Sequence, residues 1–279
     1  MKLEDALPLS NLSTTNPVFL VDCETTGFWN KINPPDLTEL AVWNLKDGAF
    51  FYTLVHPSKP QSMGSILISG LEPSILENAP TTEEVLTRFF VFVDVPNSIL
   101  VAHNGKKFDF KLLSYWKNYF GIQTKNAITE MDSLSLFCYH SSKMPQRDQK
   151  LVLKQSEVYQ HLFGSFPLYS HCAFFDVWTL TQILISLVDG DWKKLTLLFQ
   201  ESKKNPNLQC WYLTGCKTQR CSCYKSGQFC FDSCKCSKQT TCLNQDKEIE
   251  DEPPDLDGIE AEMTEFQDCL SFETGKIIE

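Results

Sequence analysis

The stretch Phe19-Leu20-Val21-Asp22-Cys23-Glu24-Thr25-Thr26-Gly27 constrains this chain more than any other: an apolar run ends in two carboxylates two positions apart, followed by a glycine turn. Alternate side chains of an extended strand share a face, so Asp22 and Glu24 converge on one point. Carboxylates held that close repel one another unless a cation lies between them. The pattern predicts a first strand whose carboxyl end is built around a metal.

The rest of the first two hundred residues alternates in a way that suits such a strand. Pro17–Cys23, Thr38–Leu45 and Phe50–His56 read as three successive strands, the last reached through the turn Lys46-Asp47-Gly48. Thr81–Val95 opens with Thr81, Thr82, Glu83 and Glu84, a helix N-terminus, and then places Val85, Leu86, Phe89, Phe90 and Val93 at helical spacing. Short strands at Ser98–Ala102 and Ala127–Met131 follow, with helices at Phe108–Trp116, Ser133–Tyr139, Val152–Phe163 and Ala173–Leu187. This order predicts an α/β domain of about the first two hundred residues. Residues 1–16 are an N-terminal extension and 193–209 a linker or terminal helix.

The chain of 279 residues, with 42% apolar residues and twenty phenylalanines, can bury a core of ordinary size. It shows neither a signal-peptide pattern nor an apolar run long enough to span a membrane, so an intracellular protein is expected. Charge is unevenly distributed. Residues 193–247 carry ten basic and three acidic side chains, whereas 248–279 carry twelve acidic and one basic. A basic segment followed by an acidic tail at 245–279, expected to be disordered, points toward nucleic acid as a partner. The tail's Ile259, Met263, Phe266, Leu270 and Phe272 could form a short helix for a protein partner.

Two further acidic motifs accompany the first. Val101-Ala-His103-Asn104-Gly105-Lys-Lys-Phe108-Asp109 places Asp109 near a helix start, and His171-Cys-Ala173-Phe-Phe-Asp176 places Asp176 in the first turn of the last long helix. Alone, each would be an ordinary cap or solvated charge. Together, in this order and spacing, they resemble the three motifs of the DEDDh (DnaQ-like) 3′–5′ exonucleases, and the form Ala102-His-Asn-Gly-x-x-Phe108-Asp-Phe110 resembles the three-prime repair exonuclease branch. The resemblance covers roughly residues 17–188. It implies an RNase H-like fold, with a mixed five-stranded sheet flanked by helices over residues 17–192, and two Mg²⁺ or Mn²⁺ ions held by Asp22, Glu24, Asp109 and Asp176. Asp22 would bridge both ions, Glu24 and Asp176 would join it at the ion nearer the water, and Asp109 would act through bound waters.

Such a donor set suits hydrolysis of a phosphodiester, where paired hard cations about 3.5–4 Å apart can activate water, neutralise the phosphate and assist the leaving oxygen. An imidazole titrates near neutral pH and can accept the water's proton, the role the resemblance gives His171. The substrate's end would lie over Thr25, Thr26, Gly27 and Phe28, with Asn104 nearby; packing is the alternative for Phe28 and Trp29, turn capping for Thr25 and Thr26. His103 reads as structural, and Glu39 as structural or a surface charge. The expected function is 3′–5′ exonucleolytic cleavage, DNA favoured, to nucleoside 5′-monophosphates. The alternatives are a catalytically silent protein that binds nucleic-acid ends, or an exoribonuclease on the same fold.

Eight of the twelve cysteines crowd between Cys210 and Cys242: Cys210, Cys216, Cys221, Cys223, Cys230, Cys234, Cys236 and Cys242. With no export pattern, this clustering favours zinc over disulfides. The two Cys-x-Cys pairs suit a cluster in which thiolates are shared between ions. Residues 210–244 resemble the CXC module of tesmin/TSO1-like proteins, which implies two or three Zn²⁺, DNA contact and a nuclear address. Upstream the segment departs from that family, offering Cys210 where a Cys-x-Cys pair is usual. Cys23, Cys138, Cys172 and Cys269 stand apart and read as inert thiols.

Overall fold

The computed structural model describes residues 16–142, 154–188, 194–195 and 197–198. The cysteine-rich segment 210–244, the acidic tail, the N-terminal extension and most of 193–209 lie outside the described residues. Five strands form one sheet: β1 (Val18–Thr25), β2 (Leu37–Asn44), β3 (Phe50–Leu54), β4 (Ile99–Ala102) and β5 (Thr129–Asp132), in the order β3-β2-β1-β4-β5. β1 pairs antiparallel with β2 and parallel with β4, β2 pairs antiparallel with β3, and β4 runs parallel to β5. The mixed sheet of the sequence reading is present. Short turns suffice for the antiparallel pairs, while each parallel pair needs a crossover helix.

Those crossovers are α3 (Thr82–Val93), between β3 and β4, and α4 (Asp109–Tyr119), between β4 and β5. Both pack on one face of the sheet, where Phe19, Val21 and Cys23 of β1 meet Val85, Leu86, Phe89, Phe90, Leu112, Leu113 and Trp116. α5 (Ser133–Ser142), α6 (Gln155–Phe163) and α7 (Ala173–Val188) cover the other face, where Val18 and Leu20 meet Val158, Val177, Leu180, Ile183 and Leu184. β2, enclosed by both layers, is buried along its whole length.

α3 is the helix best specified by local sequence. Thr81 accepts the Glu84 N–H, and the Glu84 carboxylate accepts from the Thr81 N–H at 2.8 Å, a reciprocal cap worth about 1 kcal/mol. Its buried face is the one its periodicity predicts. Residues 57–80, to which periodicity assigns no element, contain α1 (Met63–Ser69) and α2 (Pro73–Leu76). Both are too short to show a repeat, although Ser62 caps α1 through the Ser65 N–H and Gly70 ends it in the left-handed region. Beyond Leu54 the Val55 N–H still donates to the Thr38 carbonyl, and His56 then donates its N–H to the Pro80 carbonyl in an isolated bridge with Thr81. No described helix is long and apolar enough to cross a membrane.

Candidate active site

The first motif lies at the centre of the sheet, where β1 changes from an antiparallel to a parallel neighbour. Crevices beyond the carboxyl ends of strands at such reversals are where α/β sheets bind ligands. Asp22 and Glu24 have the same parity as Val18 and Leu20, so they face the α7 layer, while Cys23 faces α4. A register irregularity between Glu24 and Thr25 ends the regular pairing immediately beyond Glu24.

α7 brings the third motif to this point. One ligand atom each of Glu24, His171 and Asp176 lies within 4.8 Å of the other two, a separation that could hold a metal ion. The His171 main chain sits in the left-handed region (φ 67°), and its N–H donates to Asp176 Oδ2 at 2.8 Å. The same residue therefore orients the carboxylate and presents an exposed imidazole beside it. From α6, Gln155 Nε2 donates to the Asp176 carbonyl at 2.7 Å and approaches its Oδ1 at 3.4 Å.

Asp109 enters from the N-terminus of α4 and is 4% exposed. Gly105 makes its approach possible: a Cβ there would lie 2.6 Å from the Ala102 Cβ and 2.9 Å from the Phe110 ring. Burial, followed by the nearby Asp132 carboxylate, pushes the Asp109 carboxyl up to about 7, against hydrogen bonds from its own N–H and from Cys23. Burial likewise pushes Asp176 up to about 7, with Glu39 and Asp109 adding to it and the His171 N–H opposing it. Asp22 is raised well above the usual carboxylate range by burial and then by Asp176, Asp109, Glu24 and Glu39. Glu24 is raised by burial and by Glu39, Asp176 and Asp109. Both keep part of their surface exposed. Four carboxylates that disfavour one another's ionisation fit a site for hard divalent cations, which take oxygen donors and would relieve that repulsion.

The loop after β1 uses its hydroxyls within the chain. Thr25 Oγ1 donates to the Gly27 carbonyl at 2.8 Å, and Thr26 Oγ1 accepts the Asp36 N–H at 3.1 Å. Gly27 lies outside the left-handed region, and a Cβ there would lie 3.6 Å from Ser62 Oγ, so the bend itself does not demand glycine. Phe28 is 76% exposed, whereas Trp29 packs edge-on against Tyr115. Asn104 takes a left-handed φ of 55°, and its buried Oδ1 has no hydrogen-bond partner. His103 Nδ1 lies 3.0 Å from Ser133 Oγ, and its ring packs against Phe137, in keeping with a structural role. Cys23 and Cys172 are buried free thiols.

Sequence reasoning understated three residues. Glu39 is 1% exposed, opposite Glu24 in the β1–β2 ladder. Gln155 was given no role, and Asp132 ends β5 by accepting the Lys106 and Leu134 N–H groups. Glu39 shares parity with Ala41 and Trp43, which would have placed it on the α7 face had the register been known.

Residues 19–184 match a sequence model of the Exonuclease family, and the chain belongs to that family. Among relatives, the PolC-type DNA polymerase III of Thermotoga petrophila is 37% identical over 108 residues, 37% of this chain but 8% of the polymerase. The corresponding enzyme of Caldanaerobacter subterraneus is 29% identical over 148 residues, 50% of this chain and 10% of the relative. Among solved structures, exonuclease I of E. coli in complex with a dT13 oligonucleotide superposes with a TM-score of 0.52 at 17% identity, over 65% of this chain and 43% of that one. Another exonuclease I structure gives 0.54 at 16% identity, over 72% of this chain and 50% of that one. The chain thus has the fold of these nucleases and spans half or less of the length of each.

Proposed function

We propose that this chain is a metal-dependent 3′–5′ exonuclease that releases nucleoside 5′-monophosphates, with DNA as its favoured substrate. The observation that carries the reading is the convergence of Glu24, His171 and Asp176 within 4.8 Å at the end of β1. Asp22 and Asp109 complete the acidic set. Asp22, Glu24, Asp109 and Asp176 would hold two Mg²⁺ or Mn²⁺ ions, which when bound supply charge neutralisation and an acidified water. His171 accepts the proton of the attacking water at its exposed imidazole, and its N–H keeps Asp176 aimed at the same point. Thr25 and Thr26 shape the β1 loop through their hydroxyl bonds, which leaves main-chain groups of 25–27, the ring of Phe28 and the side chain of Asn104 to meet the terminal nucleotide. Membership of the Exonuclease family supports the reaction class.

The domain spans residues 17–192 in this reading. Cys210, Cys216, Cys221, Cys223, Cys230, Cys234, Cys236 and Cys242 form a zinc-binding module at 210–244 that anchors the enzyme on nucleic acid in the nucleus, beyond a linker at 193–209. The acidic tail serves a protein partner.

The test uses a single-stranded oligodeoxynucleotide labelled at its 5′ end, incubated with the full chain and Mg²⁺. A ladder shortening from the 3′ end and abolished by chelation is expected, with nucleoside 5′-monophosphate as the released product. Internal cuts, shortening from the 5′ end, or binding without cleavage would contradict the reading. The same assay with RNA and duplex ends defines the substrate, and elemental analysis of the purified chain should find two or three zinc ions.

A further inference from the structure

Glu39 occupies the junction between the two halves of the site. It stands opposite Glu24 in the antiparallel ladder, a placement that costs stability when both are charged. Glu39 is also 1% exposed, and so cannot relieve that repulsion by turning to solvent. A residue placed so unfavourably for packing alone must satisfy some other need, and its hydrogen bonds identify it. Its Oε2 accepts the Ala173 N–H at 3.0 Å, at the first residue of α7, and its Oε1 accepts the Cys172 thiol at 3.4 Å. Both donors lie between His171 and Asp176 in the chain.

We infer that Glu39 is a positioning residue, tying the N-terminus of α7 to the strand beside Glu24 and so setting the distance between Glu24 and the His171–Asp176 pair. The inference rests on reading that trio as the hydrolytic site. Both Glu39 oxygens are occupied by donors of the chain itself, so the residue acts through the helix and not on substrate or cation. A side-chain oxygen at a helix N-terminus satisfies an otherwise unpaired N–H group, which makes the tie directional. The tie also explains how two motifs far apart in sequence keep a common origin. β1 and β2 are fixed to each other by their ladder, α7 packs its apolar face on both, and Glu39 adds a hydrogen-bonded tie between the start of α7 and β2.

Glu39→Ala, Glu39→Asp and Glu39→Gln would be compared in the full chain, with Asp22→Ala as control. The readouts are kcat and KM on the labelled oligonucleotide, Mn²⁺ affinity by calorimetry, and thermal melting. Loss of the tie in Glu39→Ala should lower kcat by about 100-fold, since small misplacements of reacting groups cost that much. Mn²⁺ affinity should fall about tenfold, as when residues supporting metal ligands are removed, with KM for the oligonucleotide little changed. Glu39→Asp keeps the charge but withdraws the oxygens by one methylene, and should share the kcat loss. Glu39→Gln keeps an acceptor for the Ala173 N–H and should restore most of the activity.

Folded Glu39→Ala with unaltered kcat and Mn²⁺ affinity would overturn the inference. So would Glu39→Gln as inactive as Glu39→Ala, because charge and not the tie would then be what matters. If Glu39→Ala does not fold, the Asp and Gln variants decide: an active Asp variant beside an inactive Gln variant overturns the inference, and the reverse supports it. Wild-type trimming by Asp22→Ala would instead remove the site reading itself, whereas an inactive Asp22→Ala beside fully active Glu39 variants would remove only the role of Glu39.

Discussion

Asp36, which follows the β1 loop, and the four acids of the candidate site are treated in opposite ways. Asp36, 1% exposed, has its charge answered by the chain: its Oδ2 accepts the Ser58 N–H and hydroxyl, both at 2.7 Å, and the Lys59 N–H at 3.0 Å. Its Oδ1 lies 3.4 Å from Lys59 Nζ, an ammonium that also donates to the Pro34 carbonyl and lies over the Trp116 ring. Asp22 and Glu24 are instead raised, by burial first and then by neighbouring carboxylates, Asp109 and Asp176 among them. Charge satisfied internally marks a residue that holds a loop, whereas charge repelled internally marks a site to be completed from outside the chain.

The comparison breaks if both groups respond alike to removal. Asp22→Ala should reduce trimming by about 1,000-fold or more, the scale expected when a ligand shared by two catalytic ions is lost. The same substitution should raise the melting temperature of the metal-free protein, by about 3 °C for each kcal/mol of repulsion relieved. Asp36→Ala should do the reverse, costing about 2 kcal/mol of stability by orphaning buried donors. Trimming per folded molecule should stay within about twofold, as judged by denaturant melts and single-turnover rates.

Titration sharpens the comparison. The carboxyls of Asp109 and Asp176 sit near 7 in the fold, against an ordinary 3.8. Between those values the folded chain binds more protons than the unfolded chain, so each group subtracts stability as pH rises through the window. Metal-free protein should therefore melt lower at pH 8 than at pH 5, and Mn²⁺ should close most of that gap. A melting temperature independent of both pH and Mn²⁺ would contradict the assignment. The smallest effect is expected far from either group: Thr81→Ala, which removes the reciprocal cap of α3, should cost about 1 kcal/mol and leave trimming unchanged.

Much of this was legible in the sequence, for identifiable reasons. β1 announced itself because an apolar run ending in Asp-x-Glu has one sensible face for its acids, and α3 because cap and periodicity agree over three turns. Asp109 and Asp176 were found by motif, since a helix N-terminus alone does not distinguish a ligand from a cap. α1 and α2 were not found, because four to seven residues are too few to carry a period, and their local signals are only Ser62 and Gly70 around α1 and Pro73 at the start of α2. Glu39 and Gln155 were unreadable for a deeper reason. Their partners are main-chain groups of α7, 134 and 21 residues away for the Ala173 and Asp176 contacts, and no local pattern encodes such a pairing.

The claim that the four acids converge to hold a pair of divalent cations is tested most directly by anomalous diffraction from crystals soaked in Mn²⁺. Two peaks about 3.5–4 Å apart are expected, both touching Asp22 and one also touching Glu24 and Asp176. A pocket without Mn²⁺ at saturating concentration, or ions seated only at acids elsewhere, would contradict it.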